Sequence, residues 1–462
     1  MNKDELQPEE NRKNVSSEKL IQYVETVKKM INCKTVFTRD FKYKNEFDRF
    51  YQVINASFPS VIKKAKKITF GSGCFVYILE GKDANKNIML MSHHDVVKET
   101  DGWDTDAFEA TEKNGALYGR GSIDTKTPLF AELQACEELL EEGYPLDGFN
   151  IYIGSSNNEE VCGDGMVEAC KYFKEHNIYF DVVLDEGGAI TSNMLPGYSG
   201  KSAMVAVHEK SRHMYLCKAH LNEKGHGGLN PSEDSAILRL SHFINEVNTS
   251  NIYKPHFYPE VQATFETHAP YMKFPMNFLF RHINLFSWII KKIMSTIPQA
   301  KAMLSTSISF TTFFAGSKED PQIRAKEAEC TMFLRCIREN DLNEGLKKIH
   351  QIASKHGVTI SMIERDYCQP STFDSLPYKT LEEVMHENFP DVVVAPFLLT
   401  AGTDARRFTD VANSILRFTP IDLNPTQFAS IHGDNEHIYI RNIGQCVLFY
   451  KDFIKKYKEN LK

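Results

Sequence analysis

A chain of 462 residues with 42% hydrophobic content is long enough to bury a large core and to divide into two or more domains. Its 54 basic residues stand against 61 acidic ones, a net charge of -7 with no long block of one sign. That balance gives no sign of a nucleic-acid groove or an anionic membrane surface and leaves a small molecule as the default ligand. The polar start "MNKDELQPEENRKN" carries no apolar leader and the ten cysteines show no CxxC spacing, so a cytoplasmic protein with reduced thiols is expected.

Along the chain, strand-length apolar runs alternate with helical periods, which predicts an α/β fold with a mainly parallel sheet and flanking helices. The run "IMLM" ends in His93, His94 and Asp95. Asp124 follows in "GRGSIDTK". In "PLFAELQACEELLEEG", Pro128 opens a predicted crossover helix, Leu129, Leu133, Cys136 and Leu140 share one face, and Gly143 closes it. The run "FNIYIGSS" leads to Glu159 and Glu160, and "DVVLD" ends in Asp185 and Glu186.

Three motifs fail on spacing: "HEKSRH" sets its histidines five apart, "GKS" at 200–202 has Leu195 where a phosphate loop needs glycine, and no GxSxG elbow is present. The apolar stretch from Phe274 to Ile297 is broken by Arg281, Lys291 and Lys292 before it reaches spanning length. Packed helices beside a cleft are the expectation there, a surface-lying amphipathic helix the alternative. Near the C-terminus, "IHGDNEH" supplies His432.

The carboxyl ends of parallel strands form the crevice of an open α/β sheet, so these polar residues converge in space. Clustered carboxylates raise one another's pKa unless a cation keeps them ionised, and a mixed His and Asp/Glu set suits zinc, with manganese or cobalt as substitutes. Adjacent strand residues point to opposite faces, so His94 is expected to be structural, as is His437.

In order, "HHDVV", "GWDTDAF", "LYGRGSIDTK", "NEEVCG", "LDEGG", "GHGG", "TAGTDARRF" and "IHGDNEHI" resemble the dinuclear zinc exopeptidases and amidohydrolases, which include carboxypeptidase S, glutamate carboxypeptidase, aminoacylase and succinyl-diaminopimelate desuccinylase. The carboxypeptidase S branch is the nearest in pattern. The resemblance implies two Zn2+ per chain, Asp124 bridging them, His93 and Asp185 on one and Glu160 and His432 on the other. It makes Glu159 the general base and Asp95 the partner of the His93 ring. It also implies a catalytic domain from 1–207 and 369–462, and a lid and dimerisation domain over 208–368 that supports a homodimer. His226 would reach a partner's site, and Arg335 and Arg406 would bind substrate. The reaction implied is hydrolysis of the amide joining a terminal amino acid to a short peptide or an N-acyl group. A metal-free peptide-binding protein and a two-metal phosphoesterase are the alternatives. The lid departs from the family where Asp320 or Gln322 stands in place of an asparagine.

Overall fold

The computed structural model describes residues 6–193, 195–221 and 234–461. Along strand Lys86–His93, Ile88 and Leu90 join the core on one side of the central sheet, and Met89 and Met91 join the core on the other. A strand covered on both faces has no solvent side, which is why "IMLM" reads as continuous apolar sequence rather than alternation. Helices Ser17–Ile31, Lys126–Glu141, Leu376–Asn388 and Ile440–Asn460 cover the first face. Helix Gly165–Glu175 and the turn Asp404–Asp410 cover the second.

The sheet has ten strands, and the expected parallel pairing holds through its centre: Phe149–Ser156, Lys86–His93, Val182–Asp185 and Ile415–Arg417. Val392–Leu399 also runs parallel to Lys201–Glu209. Antiparallel pairs complete one rim, where Lys66–Phe70 meets Cys74–Leu79 and the latter meets Phe149–Ser156. Register decides where the polar ends meet: His93 lies opposite Ser156, and Asp185 opposite Arg417. The sequence residues read as strand termini therefore share one edge.

The crossover helix starts at Lys126, two residues ahead of Pro128, which the first turn tolerates because its N–H has no intrahelical partner. Lys126 is fully buried and its ammonium donates to the Cys33 carbonyl at 2.6 Å. Leu129, Leu133 and Cys136 are buried, as their spacing predicts, and Gly143 ends the helix at φ +66°. The helix is buried on nearly every side because it also lies under Ser17–Ile31 and Ile440–Asn460.

After Glu209 the chain enters a four-stranded antiparallel sheet of Ser307–Ala315, Glu327–Cys336, Ser211–His220 and Val358–Asp366. Ala328, Cys330, Met332 and Leu334 alternate inward on Glu327–Cys336, against helices Ala236–Thr249 and Glu339–Lys355. Where the two sheets join, buried Glu209 accepts from Arg417 Nε at 2.5 Å and from the Thr403 N–H at 3.2 Å.

The apolar stretch forms helices Met276–Arg281 and Ile283–Met294. Phe280, Ile283, Ile290 and Met294 pack inward with Phe265 and Leu398, as the packed-helix expectation requires, but other apolar side chains of the stretch face outward. Among the described residues, no helix is long and apolar enough to cross a membrane.

Candidate metal centre

At the shared strand edge, His93 Nε2 lies 2.9 Å from Asp124 Oδ1. Its Nδ1 faces only acceptors, the Asp95 carbonyl at 2.8 Å and Asp95 Oδ1 at 3.4 Å, so Nδ1 carries a proton and Nε2 is the ring nitrogen turned to the cluster. His432 Nε2 sits 3.1 Å from Asp124 Oδ2 and 3.0 Å from Glu160 Oε2. Asp124 thus touches both imidazoles, and ligand atoms of His93, Asp124 and Glu160 fall within 4.8 Å of one another. Glu160 Oε1 is buried with no hydrogen-bond partner among the described residues.

The groups of this cluster shift one another's proton affinities strongly. Burial alone would keep His93 neutral, but hydrogen bonds to Asp124 and Asp95 carry its pKa well above the usual range. Hydrogen bonds to Asp124 and then Glu160 raise His432 to about 10. Burial pushes Asp124 up, and the two imidazoles outweigh it and hold Asp124 below the ordinary carboxylate range. Burial raises Glu159, Glu160 and Glu186. Two imidazoles and several desolvated carboxylates, one with an orphaned oxygen, fit divalent metal ions of the zinc type.

The local backbone explains why these side chains point inward. Asp95 is buried and accepts the N–H of Glu159 at 3.0 Å and of Glu160 at 3.1 Å, clamping the 3-10 turn Glu159–Val161 beside His93. Its role is broader than fixing one ring. Thr125 Oγ1 donates to the His93 carbonyl at 2.7 Å and accepts the His93 N–H at 3.0 Å. His432 adopts φ +60°, a left-handed conformation uncommon outside glycine that places strain at a ligand position.

One residue that sequence reasoning missed holds the Asp124 loop. The buried Glu436 carboxylate accepts the N–H of Ile123 at 2.8 Å and of Asp124 at 3.1 Å, and pairs with Arg120 at 2.8 Å. The signal was present as the acid inside "IHGDNEH", but its partners lie more than three hundred residues upstream.

Two of the expected site residues also make backbone or ion-pair contacts of their own. Asp185 uses both carboxylate oxygens on backbone, accepting the N–H of Glu186 and of Ala405 at 2.9 Å each. Its neighbour Glu186 instead lines a cavity with Asp124 and Thr125, and its charge is opposed by Asp185, Asp124 and Glu160. Each Asp185 oxygen thus accepts one backbone N–H, and Glu186 shares a cavity wall with Asp124. The turn needs its glycines: a Cβ on Gly188 would stand 2.2 Å from the Met204 carbonyl. Arg406 gives its Nε to Asp366 and its Nη1 to the Thr403 carbonyl at 2.6 Å, at the junction between the sheets, and its Nη2 has no hydrogen-bond partner among the described residues.

Arg335 makes one hydrogen bond, to the Lys210 carbonyl at 3.2 Å, and no ion pair among the described residues. It lies opposite Arg212 in the strand register, and Arg212 contacts Cys162 Sγ at 2.6 Å, just beyond the Glu159–Val161 turn. The strand pair that carries Arg335 thus reaches the chain just after the Glu159–Val161 turn. His226 lies outside the described residues. His94 is structural: its ring stacks on Phe50 at 5.1 Å and bonds Ser155 Oγ at 2.8 Å, and burial holds it well below its ordinary pKa. His437 stacks on Tyr118 at 4.5 Å.

Comparison with known proteins matches the sequence profile of peptidase family M20/M25/M40 to residues 89–456. The mouse N-fatty-acyl-amino acid synthase/hydrolase PM20D1 is 28% identical over 458 residues, covering 96% of this chain and 90% of the relative. Probable carboxypeptidase S-like 2 of Dictyostelium discoideum is 30% identical over 428 residues, 91% of this chain and 81% of its own. Among solved structures, the M20 family metallo-carboxypeptidase Sso-CP2 from Sulfolobus solfataricus aligns with a TM-score of 0.65 at 16% identity, covering 96% of this chain and 99% of that one. The matched profile runs from the strand that ends in His93 through the loop that carries His432, and the chain belongs to peptidase family M20/M25/M40 and is a hydrolase.

Proposed function

We propose that the chain is a two-metal amidohydrolase that releases a free amino acid from an N-acyl amino acid or a short peptide, with zinc as the metal. The observation that carries this reading is the contact of Asp124 with both His93 and His432, the arrangement of a bridging carboxylate. His93, Asp124, Glu160, Glu186 and His432 would hold the ions, with Asp185 positioning Glu186. When bound, the ions polarise the amide carbonyl and acidify a water. Glu159, anchored through its N–H to Asp95, takes the water's proton on its carboxylate and passes it to the departing amine. The sheet over 211–366 acts as the lid, and its edge strands, with exposed Phe313, Phe314, Met362 and Ile363, suit a second copy in a homodimer.

Beside Glu160 opens a pocket of about 350 Å³ lined by Val36, Phe37, Val96, Val97 and Val161. Its lining is mostly apolar, with Lys42 and Lys98 beside it, which supports an apolar acyl group or side chain there, in keeping with the fatty-acyl substrates in the mouse relative's name. Arg335, free of carboxylate partners, supplies a fork for the free carboxylate of the leaving amino acid.

Steady-state kinetics of the zinc-loaded enzyme on matched substrates test this reading. N-acyl amino acids with apolar chains should exceed polar dipeptides in kcat/KM. Arg335→Ala should cost roughly 2–3 kcal/mol in kcat/KM on acids, the order of a charge-assisted hydrogen bond, and much less on the corresponding amides. Equal losses on acid and amide would remove Arg335 from the carboxylate site.

A further inference from the structure

We propose that the helical segment from Phe274 to Ile297 docks on a phospholipid bilayer surface that carries anionic headgroups. Successive residues turn by about 100° in a helix, so on Ile283–Met294 the side chains of Leu285, Trp288 and Lys292 oppose those of Ile283, Ile290 and Met294. The second set is buried; the first faces solvent. A helix that is apolar on both faces belongs in a core or against a second apolar phase, and here one face has no partner among the described residues. Phe274, Leu285 and Trp288, at 80%, 71% and 67% exposure, are the three most exposed large apolar side chains among the described residues. Phe278, Ile293 and Ile297, each about half exposed, extend the same segment.

Charge selects the partner. From Thr267 to Lys318 the sequence holds no aspartate or glutamate and six lysines or arginines, in a chain whose net charge is -7. Lys273, Arg281 and Lys292 in this stretch are exposed. Basic side chains around an apolar face match a membrane interface, where Trp288 sits at headgroup level and Lys292, in the middle of the outward face, extends its ammonium toward the phosphates. The helix is too short to span, so it lies in the interfacial plane. A second copy fits less well: a two-fold contact would set this basic segment against the same segment of the other copy, with no acid in either to pair Arg281 and Lys292. This inference does not depend on the hydrolase reading.

The test uses the purified full chain with vesicles of phosphatidylcholine alone or mixed with phosphatidylserine, read by co-sedimentation and indole emission. The chain should sediment with the anionic vesicles, more weakly at high salt, with a blue-shifted emission that Trp288→Phe removes, leaving Trp103 as the other tryptophan. Leu285→Ser with Trp288→Ser, and separately Arg281→Glu with Lys292→Glu, should each weaken vesicle partitioning by about tenfold or more while hydrolysis of a water-soluble substrate continues at the wild-type rate. Wild-type chain that stays in the supernatant with both vesicle types would overturn the proposal. So would partitioning unchanged in both double variants, or a concentration-dependent dimer that Trp288→Ser disrupts in a chain showing no vesicle binding.

Discussion

Glu159→Gln should lower kcat by about 10²–10⁴-fold, the range for loss of a positioned proton acceptor, while the metal content of the purified chain stays at the wild-type level. The separation follows from the local structure. The Glu159 backbone N–H is held by Asp95 independently of its side chain, so the amide replaces the carboxylate without releasing the turn that carries Glu160. Burial also raises the proton affinity of the Glu159 carboxyl, with Asp404, Glu186 and Glu160 adding to it and His93 opposing, which favours its acting as a base. Glutamine keeps the shape and has no basic oxygen. Wild-type turnover in this variant, measured by amino-acid release, would displace Glu159 from the mechanism.

The largest effect expected at a ligand position separates two adjacent acids. Glu186→Ala should remove a metal equivalent and reduce hydrolysis by several orders of magnitude, because the lost carboxylate is one that faces Asp124. Asp185→Asn should retain the metals with a smaller loss, of the order of the 10–100-fold seen when an outer partner of a ligand is changed, since an amide oxygen still accepts one of the two N–H groups. Elemental analysis of the two variants side by side decides it: loss of metal in Asp185→Asn with full content in Glu186→Ala would restore Asp185 as the ligand.

This pair also marks where sequence legibility stops. The edge of the parallel sheet was readable because "IMLM", "FNIYIGSS" and "DVVLD" each turn polar at the point where a doubly covered strand ends, and His93, Glu159, Glu160 and the Asp185–Glu186 pair follow from that pattern alone. The contact of Asp185 with the Ala405 N–H, 220 residues further on, bears on how the two acids of "DE" divide their roles, and no local pattern encodes it. That Arg406 in "TAGTDARRF" pairs with Asp366 appears only when the fold brings the two together. Lys126 and Arg120 are both buried, one on the Cys33 carbonyl and the other on Glu436, partners too distant in sequence to be read from "GRGSIDTK". The stretch from Phe274 to Ile297 shows the opposite limit, since its inward face was expected and its outward apolar face appears only once the helices are placed.

The central claim is that hydrolysis requires metal at the His93–Asp124–His432 cluster, and the direct measurement is the metal content of the chain, taken together with its activity, before and after chelation. Two zinc equivalents per chain, loss of amino-acid release when they are stripped, and recovery on adding zinc back are the predicted results. Undiminished hydrolysis by metal-free chain would contradict the account.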